Sequence, residues 1–294
     1  MKLVDSISRM STLSKMVRKE GRAIGLVPTM GYLHEGHASL VRAARKHTDF
    51  VVLSIFVNPL QFGPSEDFEK YPRDLKRDEE CARAAGVDVI FYPPVKEIYP
   101  EGYATYVGVE GLTDTLCGAS RPGHFRGVAT IVAKLFNIVK PAVAYFGQKD
   151  AQQAAVIRKM VQDLNMDVEI KMMPIVREAD GLAMSSRNSY LSEDERRDAL
   201  VLHQALQKAQ ALVKDGEREP RKIIRAVREM IEQKPMVKID YVSVVDTREL
   251  REVPEIAGEA LVAVAARVGK TRLIDNVIVS PDLPAGSAGT RKGR

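Results

Sequence analysis

The chain has 294 residues, 45% hydrophobic and 28% charged, enough for a substantial core in one large or two moderate domains. Its net charge of +5 comes from 44 basic and 39 acidic residues. Residues 281–294 supply +2 of that through Arg291, Lys292, Arg294 and Asp282, leaving the body +3 with both signs interspersed, too small an excess for a nucleic-acid-binding face. No run of about 18 apolar residues is present, so no membrane span is expected. The opening Met1-Lys2-Leu3-Val4-Asp5-Ser6 lacks the apolar core of a secretory signal. Cys81 and Cys117 give no disulfide framework, which fits a reducing cytoplasm.

In chain order, Ala23, Ile24, Leu26 and Val27 predict a strand and Ala38 to Lys46 a helix. Between them stands Pro28-Thr29-Met30-Gly31-Tyr32-Leu33-His34-Glu35-Gly36-His37. A strand that hands over to a helix leaves backbone N–H groups and the positive end of the helix dipole at the turn, which suits a phosphate. His34 and His37 add imidazole donors there, although a histidine at a helix start is also a common cap. A zinc-protease helix needs His-Glu-x-x-His, whereas here the two histidines are three apart with Gly36 between them, so phosphate is the better reading.

Phe50 to Phe56 is a continuous apolar run of the kind buried in a parallel sheet. The turn after it, Asn58-Pro59-Leu60-Gln61-Phe62-Gly63, would project Gln61 into a ligand crevice, with a purely structural turn as the alternative for Asn58. A helix over Leu75 to Ala85 closed by Gly86, a strand over Val87 to Phe91 and a helix over Val128 to Val139 follow. Then come a strand at Ala142 to Phe146, a helix from Asp150 to Leu164, and Val168 to Met172 with Ile175-Val176 as a strand pair or bent strand. Repeated β-α-β units predict an α/β, doubly wound parallel sheet over residues 1–176.

Beyond it, Ser192-Glu193-Asp194-Glu195 is a capping box leading a helical stripe of Leu200, Leu202, Ala205, Leu206, Ala209 and Leu212. A helix over Pro220 to Gln233 precedes strands at Ile239 to Val245, Leu261 to Val268 and Arg272 to Val279, with a Gly269-Lys270 hairpin turn. Residues 177–280 therefore predict a smaller α+β domain, expected over the C-terminal strand edges where open α/β sheets hold ligands. Residues 281–294 predict a disordered tail.

No Gly-x-Gly-x-x-Gly follows the first strand. Gly118 to Gly123 has P-loop glycine spacing but continues His124-Phe125, where Lys and Ser/Thr would be needed, so it is no Walker loop. Arg121, His124 and Arg126 form either a cationic cluster for an anion or a solvated turn. In Phe146-Gly147-Gln148-Lys149-Asp150, Gly147 allows close backbone approach, Lys149 offers a charge for phosphates and Asp150 can cap the next helix. One of Gln152 and Gln153 would face the crevice. Met184-Ser185-Ser186-Arg187-Asn188, after the turn Ala179-Asp180-Gly181, puts two hydroxyls and a guanidinium where a mobile loop can grip phosphoryl oxygens, or is only a linker.

His34-Glu35-Gly36-His37 with Met184-Ser185-Ser186-Arg187 resembles the paired signature of the HIGH/KMSKS nucleotidyltransferase superfamily. Pro28-Thr29-Met30-Gly31, Phe56-Val57-Asn58-Pro59-x-Gln61-Phe62, Tyr71-Pro72-Arg73, Ser120 to Val128, Phe146 to Asp150 and Met184 to Asn188, in that order, resemble the pantoate–β-alanine ligase family, over about residues 20–280. The resemblance implies a Rossmann-like fold and the ATP- and magnesium-dependent joining of (R)-pantoate to β-alanine through an adenylate, releasing AMP and pyrophosphate. It also implies a cytoplasmic homodimer with no nucleic-acid or membrane partner.

By the same resemblance, Met30, Gly31, Tyr32, Leu33, His34, Glu35, Gly36 and His37 cover the ATP phosphates, and His37 has the proton-donor role. Gly147, Gln148, Lys149, Asp150, Val176, Met184, Ser185, Ser186 and Arg187 hold ATP. Gln61 and Gln153 hold pantoate, with Pro28, Met30 and Phe146 against its gem-dimethyl group. The catalytic set it implies is His34, His37, Lys149, Ser185, Ser186 and Arg187. Magnesium ligands are not identified, Asp78 being the one candidate. Tyr32 and Gln148 stand where members often carry Ala and Glu. Two rivals are weighed: an adenylyltransferase that keeps its nucleotide adduct, and an RNA-binding module, against which the body charge and the absence of Trp speak.

Overall fold

In the computed structural model, which describes residues 1–64 and 66–281, six strands form one parallel sheet. They are β1 (Lys2–Val4), β2 (Ile24–Thr29), β3 (Phe50–Ile55), β4 (Val89–Phe91), β5 (Val143–Gly147) and β6 (Glu169–Met173), in spatial order β1-β4-β3-β2-β5-β6. Successive strands β2, β3 and β4 run outward on one side, with β1 beyond them at the edge, and β5 and β6 run outward on the other. The order therefore reverses between β2 and β5, and the loops leaving Thr29 and Gly147 open at that switch point.

Helices α1 (Ile7–Lys19), α2 (Glu35–His47), α3 (Leu75–Ala85), the short α4 (Val95–Ile98) and α6 (His124–Val139) accompany these strands, and the one-turn α5 (Cys117–Ser120) precedes α6 in the chain. Val27, Val51, Leu53, Ile55, Ile90, Val143 and Tyr145 pack with the apolar faces of α2 and α3. The alternate residues Leu26, Val52 and Ala144 are equally buried and point to the opposite face, where α1 packs on α6. Burial on both faces is what makes these strands read as unbroken apolar runs.

The chain divides into two units. The first comprises Met1–Asp114, Arg121–Gly147 and Val156–Met173; the second takes Thr115–Ser120, Gln148–Ala155 and the chain from Pro174 on. Helix α7 (Ala151–Asp163) begins in the second and ends in the first. The second unit also holds α8 (Glu193–Ala199), α9 (Val201–Lys214), α10 (Pro220–Ile231) and an antiparallel sheet of β7 (Val237–Asp246), β8 (Ala260–Val268) and β9 (Thr271–Val279). Its core joins Leu202, Leu206, Ile223 and Val227 to Val244, Val262 and Val264.

The Ser192–Glu195 capping box is formed, but the expected single helix behind it is interrupted at Leu200. Leu200 keeps right-handed helical dihedrals (φ −58°, ψ −23°), so the apolar stripe continues across the junction. Helix α6 begins at His124, earlier than the periodicity suggested, and Ile175-Val176 is not part of β6. The expected tail after Pro281 lies outside the described residues.

Candidate active site

The loop after β2 is held in an unusual shape by one buried carboxylate. Gly31 (φ +83°) and Tyr32 (φ +51°) are both left-handed. Asp78 of α3, 1% exposed, accepts the backbone N–H of Tyr32 at 2.9 Å and of Leu33 at 2.6 Å. A β-carbon on Gly31 would lie 2.8 Å from Asp78 Oδ2, so the carboxylate and the glycine fit each other. Burial pushes the Asp78 carboxyl above the usual aspartate range, against the two N–H bonds that favour its charge. With both oxygens engaged by the backbone, Asp78 clamps the loop. Among the described residues no group of three or more His, Cys, Asp or Glu is placed to hold a metal.

The clamp delivers the chain to the start of α2 with His34 as its N-cap. His34 Nδ1 accepts the Gly36 N–H at 3.1 Å, and His37 Nδ1 accepts the His34 N–H at 3.3 Å, a reciprocal capping box built from two imidazoles. The ring centroids are 4.1 Å apart. Backbone N–H groups can only donate, so both Nδ1 atoms are acceptors and the neutral rings carry their proton on Nε2. The common-cap reading and the phosphate-donor reading are therefore compatible: one nitrogen caps, and the other presents N–H.

Gln61 ends a 3-10 turn (Pro59–Gln61) whose cap is Asn58. Asn58, 1% exposed, donates to Gln61 Oε1 at 3.2 Å and to the Gly127 carbonyl at 3.0 Å, and accepts from the Tyr99 hydroxyl at 2.8 Å. Fixing Oε1 turns Gln61 Nε2 toward Met30, 3.0 Å from its sulfur. Asn58 thus ties the turn to α6 and Tyr99 and fixes the Gln61 side chain. Pro28 and Met30 are half-buried, and Phe146 is buried at 3% exposure.

The cationic residues separate, with Arg126 exposed and Arg121 and His124 half-buried. Arg126 stacks 4.0 Å from the Tyr106 ring centre, while Arg121 and His124 point back at the Gln61 turn. Helix α6 approaches that turn so closely that a β-carbon on Gly127 would sit 2.3 Å from the Leu60 carbonyl oxygen.

In the second unit, Val176 and Met184 are cross-strand partners: the Met184 N–H bonds the Val176 carbonyl at 3.0 Å, beside an Arg177–Ala183 bridge. Ser185 Oγ caps the 3-10 segment Ser186–Tyr190 by accepting the Arg187 N–H at 3.2 Å. Asn188 donates to Glu178 at 2.6 Å and to the Ala183 carbonyl at 3.1 Å, pinning the far end of the loop. Gln148, Lys149 and Asp150 form a 3-10 turn ahead of α7, with Lys149 Nζ 3.9 Å from Asp150. Of the two glutamines, Gln152 is 6% exposed and grips the Thr115 carbonyl at 2.8 Å and the Cys117 N–H at 2.9 Å. Gln153 is the less buried one. Asn276 of β9, which sequence reasoning missed, holds the Gln148–Lys149 turn.

A parallel sheet with an imidazole-capped helix at its switch point places the chain in the α/β class, whose ligands bind at that crevice. The family model for pantoate–β-alanine ligase matches residues 2–278, and the chain belongs to that family. It is 60% identical to pantothenate synthetase from Acetivibrio thermocellus over 279 residues, covering 95% of this chain and 99% of that one. The Heliobacterium modesticaldum pantothenate synthetase is also 60% identical over the same length and shares. The crystal structure of the Thermus thermophilus enzyme matches with a TM-score of 0.91 and 47% identity, over 96% of this chain and 100% of that one. The Francisella tularensis ligase, described as complexed with β,γ-ATP and β-alanine, matches with a TM-score of 0.79 and 32% identity, over 95% and 97%. The chain is an ATP-dependent ligase that joins pantoate to β-alanine.

Proposed function

We propose that the reaction runs through pantoyl adenylate, with the Met30–His37 loop and the Gly147–Asp150 and Val176–Arg187 segments around ATP, and Gln61 and Gln153 on pantoate. A carboxylate is a poor electrophile toward an amine, so one oxygen must first become a leaving group. The pantoate carboxylate oxygen attacks the α-phosphorus, a P–O bond forms, and the bond to the departing pyrophosphate breaks. The β-alanine amine, entering neutral, then attacks the acyl carbon; the C–N bond forms, AMP leaves, and the nitrogen loses a proton.

The first step gathers charge on the α-phosphoryl oxygens and on pyrophosphate, and the protein's task is to meet that charge with placed donors. The carrying observation is the imidazole pair, whose Nδ1 atoms both accept backbone N–H groups and so leave N–H at Nε2. Lys149, Ser185, Ser186 and Arg187 supply the remaining donors in this reading. No described carboxylate cluster offers a cage for a resident cation, and magnesium is read as entering with ATP as its phosphate counter-ion. Gln61 Nε2, aimed by Asn58, suits a hydroxyl or carboxylate oxygen of a small hydroxy acid. No described helix is long and apolar enough to cross a membrane. Two unpaired thiols support a cytoplasmic setting, and family membership supports a homodimer.

The test is pyrophosphate and AMP release from Mg–ATP with (R)-pantoate, with and without β-alanine. One equivalent of pyrophosphate with pantoate alone, then AMP and turnover once β-alanine is added, is the expected result. His37→Ala should slow the pantoate-dependent pyrophosphate burst roughly 10²–10³-fold. Near-normal release from a folded variant would remove His37 from the chemistry.

A further inference from the structure

Two carboxylates take part in this reaction, and only one survives it. The pantoate carboxylate is consumed as nucleophile and then as acyl group, whereas the β-alanine carboxylate stays an anion throughout. A site that selects this amine over neutral ones needs a cation matched to an unreacting carboxylate.

The first unit already holds such a pair, filled by its own chain. Arg121 Nε and Nη2 meet the two oxygens of Glu66 at 2.6 and 2.8 Å, a two-pronged contact with both side chains mostly buried. Arg121 Nη1 lies 2.9 Å from His124 Nε2; since a guanidinium only donates, His124 Nε2 accepts and its Nδ1–H donates to the Gln61 carbonyl at 2.8 Å. Arg121 Nη2 is itself 3.4 Å from that carbonyl. His124 opens α6, whose N-cap, Gly123, supplies no side-chain acceptor, so the helix dipole also favours an anion here. Gly127 packs this first turn directly on the Gln61 backbone.

A fork shaped for a carboxylate therefore stands next to the residue assigned to pantoate, and the acid in it comes from the turn region just after Gln61. We propose that Arg121 is the receptor for the β-alanine carboxylate and that Glu66 is an internal stand-in which the substrate displaces. This rests on the placing of pantoate at Gln61.

The test compares β-alanine with β-alaninamide, the same amine without the anion, as acceptors for the wild-type chain and for Arg121→Gln, Arg121→Lys and Glu66→Gln. Loss of charge-assisted hydrogen bonds predicts that Arg121→Gln raises the β-alanine KM about 10- to 100-fold, with much smaller changes for ATP and pantoate. The preference for β-alanine over its amide should collapse by a similar factor, and Arg121→Lys, which keeps the charge and loses the fork, should fall between. Glu66→Gln should lower the β-alanine KM. An undiminished preference in Arg121→Gln, or an equal rise in all three KM values, would overturn the receptor. A β-alanine KM that stays the same or rises in Glu66→Gln would overturn the stand-in. Pantoate-dependent pyrophosphate release by the wild-type chain without β-alanine reads the adenylate mechanism separately, so failure of one is not mistaken for failure of the other.

Discussion

Asn276 of β9 donates its side-chain amide to two consecutive carbonyls, that of Gln148 at 2.9 Å and that of Lys149 at 3.0 Å, and accepts the Gln148 amide at 3.2 Å. It is 4% exposed, so the turn carrying Lys149 is fixed from the antiparallel sheet. Asn276→Ala removes these bonds and should cost about 1–3 kcal/mol of stability in urea unfolding. If the turn's position matters for ATP, kcat/KM for ATP should fall about tenfold or more at temperatures where the variant is folded. Lower stability with unchanged ATP kinetics would make Asn276 a purely structural residue.

The Asp78 clamp gives a sharper contrast. Asp78→Ala leaves the Tyr32 and Leu33 N–H groups without their acceptor and frees a loop held in left-handed backbone, and should raise the ATP KM with a loss of roughly 2–5 kcal/mol in stability. Asp78→Asn keeps one acceptor oxygen and should lose less. Excess magnesium should rescue neither variant; rescue would return Asp78 to the role of metal ligand.

Asn58 and Gln61 should be separable from the ATP residues by kinetics. Gln61→Ala should raise the pantoate KM far more than the ATP KM. Asn58→Ala should do the same more weakly while also lowering Tm, because it loses contacts to Gln61, Gly127 and Tyr99 at once. Equal effects on both substrates would mean that the turn is scaffold alone.

Much of this was legible in the chain because local signals and burial agree. Val51, Leu53 and Ile55 are buried on one face of β3 and Val52 on the other, which produces the uninterrupted apolar run. Gly86 does end α3 in left-handed backbone (φ +96°). Helix α1 was not legible: only Met10, Ser14 and Val17 of its residues are buried, and one of those is polar. Strand β1, from Lys2 to Val4, is too short to show a period. Within the site, the residues proposed to touch ligands sit in recognisable turns, but their supports do not. Asp78, Asn276 and Glu66 lie 46, 128 and 55 positions from the partners they hold, and sequence spacing carries no trace of such contacts. Gly127 packs α6 on the Leu60–Gln61 backbone, a contact that its local sequence does not name, whereas Gly147, read as a site of close approach, has nothing within 4 Å of its β-carbon position.

Stability should also carry a one-proton step from His203 of α9. Burial, then the positive charge of Arg177, lowers its pKa below the usual 6.5, with Asp275 opposing, and its Nδ1 is buried without a hydrogen-bond partner. A lowered pKa means that the unfolded chain binds the proton more tightly, so stability rises with pH across this window. The contribution is complete above about pH 6.5 and is lost as pH falls through the lowered folded value. Arg177 and Asp275 are bonded to each other at 2.7 and 3.0 Å, so a charged imidazole beside them would also strain that pair. Glu66 and Asp180 act in a separate, more acidic window. Burial raises both carboxyls, but bonds to Arg121 and Gly63 for Glu66, and to Leu182 and Arg196 for Asp180, outweigh it and hold them below their ordinary values. Thermal unfolding followed from pH 8 to pH 5 should therefore show a decline below about pH 6.5 that His203→Gln removes. A decline that persists unchanged in the variant would assign the proton to another group.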